Sequence, residues 1–105
     1  MMKMAMISTY TLQVQSGQPS AVTLDANPTT GYQWALSNPL DETFLFLQSS
    51  EFVPPSQPAR IGQGGQQRFT FRALRRGVTS LSFKYCRPWE PSDCASFVFY
   101  VVTVV

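Results

Sequence analysis

The 105-residue chain contains no histidine. That absence removes Ser-His-Asp and Cys-His nucleophilic systems and His-ligated metal sites, the commonest ways to build a catalytic centre. Charge is also scarce. Charged residues make up 13% of the chain and hydrophobic residues 44%, whereas a soluble domain usually carries roughly 25% charged residues. A disordered chain, a charged coiled coil and an acidic or basic tail protein are thereby excluded. The net charge of +2 is too weak to point to a nucleic-acid partner. The longest strongly apolar run, Phe97 to Val102, falls far short of the ~20 residues that span a bilayer, so no membrane partner is expected. No cofactor and no metal are expected either.

Methionine is missing beyond residue 6: all four stand at Met1, Met2, Met4 and Met6. This stretch is too short for the apolar region of a signal peptide, and no small-residue cleavage site follows it. Residues 1–7 read as a loose N-terminal tail on a single domain spanning 1–105, a length that closes one hydrophobic core. Cysteine is limited to Cys86 and Cys94, with no CxxC, which argues against a redox enzyme and makes a poor metal site. Facing each other across a hairpin, the two would form a disulfide easily; two buried free thiols are the other reading. In the chain-entropy picture such a bridge contributes roughly 2.5 kcal/mol. It would favour an extracytoplasmic (periplasmic or secreted) location.

What the sequence has in quantity is period two. Tyr10, Leu12 and Val14 alternate with polar residues, as do Val22 and Leu24; Tyr32, Trp34 and Leu36; Phe69 and Phe71; Leu81, Phe83 and Tyr85; and Phe97, Phe99 and Val101. Such alternation predicts strands with one buried face and one wet face. Phe44 to Leu47 reads as a strand buried on both faces. Turn signals at Ser16–Pro19, Asn27-Pro28, Asn38-Pro39, Pro54-Pro55, Gly62–Gly65, Arg76-Gly77 and Pro88 to Pro91 separate these runs. About seven short strands between turn signals predict an all-β, immunoglobulin-like β-sandwich. In that strand order the loops after strands two, four and six emerge at one end. Here they are Asn27–Gly31, Pro54–Gly65 and Arg87–Asp93, the three most unusual loops of the chain.

In the first loop, Asn27 is pushed extended by the following Pro28, the proline stiffens the tip, and Gly31 is free to take a positive φ. Thr29 and Thr30 then stand at the tip with their hydroxyls available. In the second, Gly62, Gly64 and Gly65 match neither a dinucleotide fingerprint nor a P-loop and expose backbone to a partner. In the third, Arg87, Pro88 and Trp89 place two hot-spot residue types beside a rigid proline; the plainer reading folds Trp89 back as a core cap.

Taken together, NPTTG at Asn27–Gly31 with Tyr32 and Trp34 following, GxGG at Gly62–Gly65 and RPW at Arg87–Trp89 resemble the chagasin-like inhibitors of papain-type cysteine peptidases. FTFRALRRGV at Phe69–Val78 looks like that family's fifth strand and its turn. The resemblance implies a non-enzymatic, reversible and tight-binding inhibitor whose partner is a papain-like cysteine peptidase. It implies that Thr29, Thr30 and Gly31 sit over the target's catalytic Cys and His. Gly62, Gly64 and Gly65 would lie along one wall of the cleft, and Arg87 and Trp89 would pack on the other. Cys86 and Cys94 are no part of the family's motif; bridged, they would brace the third loop. An immunoglobulin-like adhesion or carbohydrate-binding module, with Trp89 stacked on a sugar, is the competing reading. A monomer is expected, although the Val- and Phe-rich C-terminal stretch leaves dimerisation open.

Overall fold

The alternating segments form seven strands in a computed structural model that describes residues 5–55 and 64–105. They are β1 (Met6–Val14), β2 (Pro19–Ala26), β3 (Gln33–Leu36), β4 (Leu45–Val53), β5 (Gly65–Ala73), β6 (Gly77–Arg87) and β7 (Glu90–Val104), with one 3-10 turn at Pro28–Thr30. One sheet has the order β1-β7-β6-β3 and the other β2-β5-β4. All pairings are antiparallel except β1 with β7, which run parallel in a register that sets Tyr10 beside Tyr100 and Val14 beside Val104. Met6 and Ile7, the last residues of the expected tail, already belong to β1 and pair with Ser96 and Phe97. The predicted all-β, immunoglobulin-like sandwich is the observed fold.

The inner faces close on a core of Val22, Leu24, Leu45, Phe69, Phe71, Leu81, Phe83, Val102 and Val104. Phe83 is fully buried and packs its ring against Phe69 at 4.7 Å and edge-on against Tyr100 at 6.1 Å. Tilted and edge-on pairs of this kind match the quadrupoles of the rings.

Two strand readings need correcting. In β7 the core-facing residues are Val98, Tyr100, Val102 and Val104, not Phe97, Phe99 and Val101. The strand is interior to its sheet and apolar on both faces, so alternation carries no phase there. Its pairing to β6 and β1 sets the phase instead. The Phe44–Leu47 cluster does enter a strand, but one face is open: Leu45 is buried, whereas Phe46 is half exposed. Phe46 lies on the outer face of the three-stranded sheet, which no other described strand covers. The strands are also longer than expected; β6 has 11 residues and β7 has 15.

The edge strand β3 is only four residues long, and its outer backbone groups are met by a side chain of the other sheet. Gln67 Oε1 accepts from the Trp34 amide at 3.0 Å, and Gln67 Nε2 donates to the Trp34 carbonyl at 3.0 Å. One side-chain amide thus supplies the two bonds a neighbouring strand would have made. It also ties the two sheets together directly beneath the first loop.

Candidate functional site

The loops after β2 and β6 meet at one end of the sandwich, and Gly64, the last residue of the connection after β4, lies there against Ala26 and Asn27. The first begins as the sequence predicts: Asn27 is extended (φ −127°, ψ 100°), Pro28 opens the 3-10 turn and Gly31 closes it in the left-handed region at φ 84°. Asn27 organises the tip. Its Oδ1 accepts from the Thr29 amide at 3.1 Å and from Thr29 Oγ1 at 2.6 Å. Its carbonyl accepts from the Thr30 amide at 3.1 Å and from Thr30 Oγ1 at 2.7 Å. The threonine hydroxyls are therefore committed inward rather than available, because a short polar side chain next to a free carbonyl bonds locally. What the exposed tip of Pro28, Thr29 and Thr30 presents is methyl groups, the proline ring and a backbone locked into one turn.

Beneath the tip lies an aromatic stack. Trp34 stacks on Tyr85 with ring centroids 4.7 Å apart, and the Tyr32 ring lies tilted beside Tyr85 at 5.4 Å. Each polar atom of the stack holds a neighbouring segment. Tyr85 OH accepts from the Asn27 amide at 2.9 Å, Trp34 Nε1 donates to the Asp25 carbonyl at 2.9 Å, and Tyr32 OH donates to Asp93 Oδ1 at 2.7 Å. The stack thus fixes where β2 hands over to the first loop.

The third loop is shorter than predicted. β6 runs through Arg87 and β7 begins at Glu90, so only Pro88 and Trp89 form the hairpin tip and Glu90–Asp93 is strand. Cys86 and Cys94 face each other across that hairpin and are bonded, with Cα atoms 4.0 Å apart. Trp89 does not cap the core; it is 71% exposed. Its six-membered ring lies against Gly31, so close that a Cβ there would stand 2.5 Å from Cη2. Arg87 is turned toward the first loop. Its Nη1 pairs with Asp93 Oδ2 at 2.8 Å, its Nε donates to the Thr30 carbonyl at 3.3 Å, and its guanidinium carbon sits 4.6 Å over the Tyr32 ring.

For the second loop, Gly62 lies outside the described residues. Gly64 and Gly65 are placed, and both are packed against backbone. A Cβ on Gly64 would meet the Ala26 carbonyl at 2.8 Å and Asn27 Cβ at 3.3 Å; one on Gly65 would meet the Val53 carbonyl. Gly64, Gly65, Asn27, Ala26, Asp25 and Tyr85 line an open cleft between the first and second loops. The structure thus gathers Asn27, Pro28, Thr29, Thr30, Gly31, Gly64, Gly65, Arg87, Pro88 and Trp89 at one end. Sequence reasoning missed Tyr85, Gln67 and Asp93. Only Asp93 left a trace, as an Arg/Asp pair nested inside the Cys/Cys pair.

The sequence model of the chagasin family, described as peptidase inhibitor I42, matches residues 13–104. The chain belongs to this family of peptidase inhibitors. The family consists of inhibitors, not enzymes. The chain is 30% identical to chagasin of Trypanosoma cruzi over 96 residues, covering 87% of this chain and 86% of that one. It is also 30% identical to amoebiasin-2 of Entamoeba histolytica over 80 residues, 76% of this chain and 64% of the relative. Among solved structures it is similar in fold to the cysteine protease inhibitor EhICP2 of Entamoeba histolytica. That match has a TM-score of 0.76 and 23% identity and covers 96% of each chain. PbICP-C, solved in complex with falcipain-2, superposes with a TM-score of 0.69 at 23% identity, over 96% of this chain and 91% of that one.

Proposed function

We propose that this member of the family blocks papain-like cysteine peptidases reversibly, seating its three-loop end in the substrate cleft. Thr29, Thr30 and Gly31 cover the catalytic Cys and His, the backbone at Gly64 and Gly65 lies along one wall, and Trp89 packs on the other. The observation that carries this reading is the joining of the loops, with Trp89 on Gly31 and Gly64 against Ala26 and Asn27.

The backbone of the tip supports inhibition rather than cleavage. A thiolate activated by an imidazolium attacks a carbonyl held at close range and in line, and the carbonyl oxygen must turn into the enzyme's oxyanion donors. Here the Asn27, Pro28 and Thr30 carbonyls are each engaged by donors of this chain: the Thr30 amide and hydroxyl, the Gly31 amide, and Arg87 Nε. Cleavage at any of these three carbonyls would require breaking the turn's own bonds first. The first and third tips, each held by bonds within the chain, also lose little entropy on docking, and a three-loop end suits the standard inhibitor interface of about 800 Å² per partner.

Titration of active papain with the protein tests this. Stoichiometric inhibition at nanomolar concentration is expected, with Trp89→Ala weakening it by about 2 kcal/mol, the scale of a buried hot-spot tryptophan. No effect of wild type at micromolar concentration refutes the reading.

A further inference from the structure

We infer that Asp93, a residue outside the three loops, is a positioning residue for inhibition, and that it makes Arg87 a brace between the loops rather than a contact with the peptidase. This rests on the inhibitory reading above and deepens it.

Both carboxylate oxygens of Asp93 are in use. Oδ1 accepts from Tyr32 OH at 2.7 Å, and Oδ2 accepts from Arg87 Nη1 at 2.8 Å. Its side chain is 13% accessible and that of Arg87 34%, so the pair is shielded at the carboxylate end. Charge-assisted bonds of this length are roughly twice as strong as neutral ones. Held this way, Arg87 spends its remaining reach within the chain, on the Thr30 carbonyl at 3.3 Å and on the face of Tyr32 at 4.6 Å. Asp93 therefore joins β7 to the end of the first loop through Tyr32, and to its tip through Arg87 and Thr30.

The same linkage reaches Trp89. The indole leaves the chain two residues after Arg87 and rests on Gly31, one residue after Thr30. Asp93 stands next to Cys94, whose bond to Cys86 fixes the base of the hairpin. The disulfide holds the hairpin closed; Asp93 sets the direction in which its tip leans. Without the carboxylate the hairpin keeps its strands but loses what pulls Arg87, and with it Trp89, onto the first loop. The bound arrangement then becomes one of several, and apparent affinity falls by its remaining fraction.

Kinetics separates positioning from contact. Loss of a contact shows mainly in the dissociation rate. Loss of a preassembled arrangement shows in the association rate, because fewer molecules are competent on encounter. Progress curves with papain on wild type, Asp93→Asn, Tyr32→Phe, Trp89→Ala and the Asp93→Asn/Trp89→Ala pair are the measurement. Asp93→Asn is expected to slow association about tenfold and leave dissociation within about twofold. Tyr32→Phe, which removes one arm and keeps the ring, is expected to cost a smaller factor of about three. In the Trp89→Ala background the Asp93→Asn penalty should shrink to less than about twofold.

A second readout needs no peptidase. In the free protein, the Gly31 α protons are shifted by the Trp89 ring current, and Asp93→Asn is expected to abolish most of that shift. A fall in melting temperature with the Gly31 shift and the association rate both unchanged overturns the inference, as does a loss confined to dissociation. If wild type does not inhibit papain, the inhibitory reading fails by itself and the Gly31 resonance alone decides whether Asp93 positions the loops.

Discussion

Gly31→Ala tests the site end most sharply, because the chain contains its own control. Gly31 and Gly17 have nearly the same left-handed conformation, at φ 84° and 80°. An alanine in that region costs about 1–2 kcal/mol of backbone strain. Around Gly17 a Cβ meets nothing within 4 Å; at Gly31 it meets Trp89 at 2.5, 3.2 and 3.5 Å. The backbone term is therefore shared and the side-chain term is not. Because Trp89 is 71% exposed, its ring can swing away without opening a cavity, so displacement adds little to unfolding. Both variants should lose about 1–2 kcal/mol of stability, a melting shift of about 4–8 °C per kcal/mol for a domain near this size. Inhibition should divide them. Gly17→Ala should leave it unchanged. Gly31→Ala should weaken it by about 2 kcal/mol, close to thirtyfold, as for removing a hot-spot tryptophan.

Thermal denaturation gives the first comparison and the papain inhibition constant the second. The Gly31→Ala/Trp89→Ala double variant separates the displaced ring from the new methyl group at the tip. If displacement is the cause, Gly31→Ala costs little once Trp89 is gone. An equal penalty with and without Trp89, or an unchanged inhibition constant for Gly31→Ala, refutes the claim that the first and third loops act as one surface.

Gln67→Leu leaves the Trp34 amide and carbonyl without their partners and should cost about 1–3 kcal/mol of stability, measured by urea unfolding; a neutral result disproves the strand-mimic role. Reduction of the Cys86–Cys94 bond, or the paired Cys→Ser variant, should lower stability by about 2.5 kcal/mol for a loop of this size, and equal midpoints with and without reductant contradict it. The hydroxyl of Tyr100 is pushed up from 10.0, chiefly by burial and further by Tyr10. The fold favours its neutral form, so that contribution is complete below pH 10.0 and is lost as pH rises through the higher folded value. Alkaline unfolding should be steeper in wild type than in Tyr100→Phe, and identical slopes exclude the assignment. With no histidine, no side chain at its ordinary pKa titrates between about pH 5 and 8, so pH dependence of inhibition in that window should follow whichever peptidase is used.

Strand number, sandwich architecture and the shared end of the first and third loops, with Gly64 beside them, are readable from alternation and turn residues, because these are local features repeated along the chain. Alternation failed where both faces are apolar. Phe97, Phe99 and Val101 are as hydrophobic as Val98, Val102 and Val104, and only the register against β6 and β1 chooses between them. In the first loop, the backbone of Asn27, Pro28 and Gly31 followed from residue type. The direction of the threonine hydroxyls did not, because it depends on how close the Asn27 carbonyl comes once the turn is wound. Gln67 is a single polar residue on a strand with no spacing to mark it, and Asp93 is marked only by its nesting with Arg87 inside the cysteine pair. Their partners, Tyr32 and Trp34, lie 61 and 33 residues away.

Those unmarked residues share a physical reason. An end that must fit another protein's cleft stays exposed, so apolar burial cannot make it rigid. Trp89 and the Pro28–Thr30 tip are outside the core. Rigidity there has to come from directional bonds: Asn27 winding the tip, Tyr85 and Tyr32 anchoring its base, Asp93 with Arg87 joining it to the hairpin, and the disulfide closing the hairpin. Each side chain ordered before docking removes about 0.5–1.5 kcal/mol from the cost of association. The same bonds hold the Asn27, Pro28 and Thr30 carbonyls on donors of this chain. On the proposed docking, preassembly and resistance to cleavage would arise from the same bonds. A substitution that loosens the tip should weaken inhibition and, at long incubation, let the peptidase cut between Asn27 and Gly31.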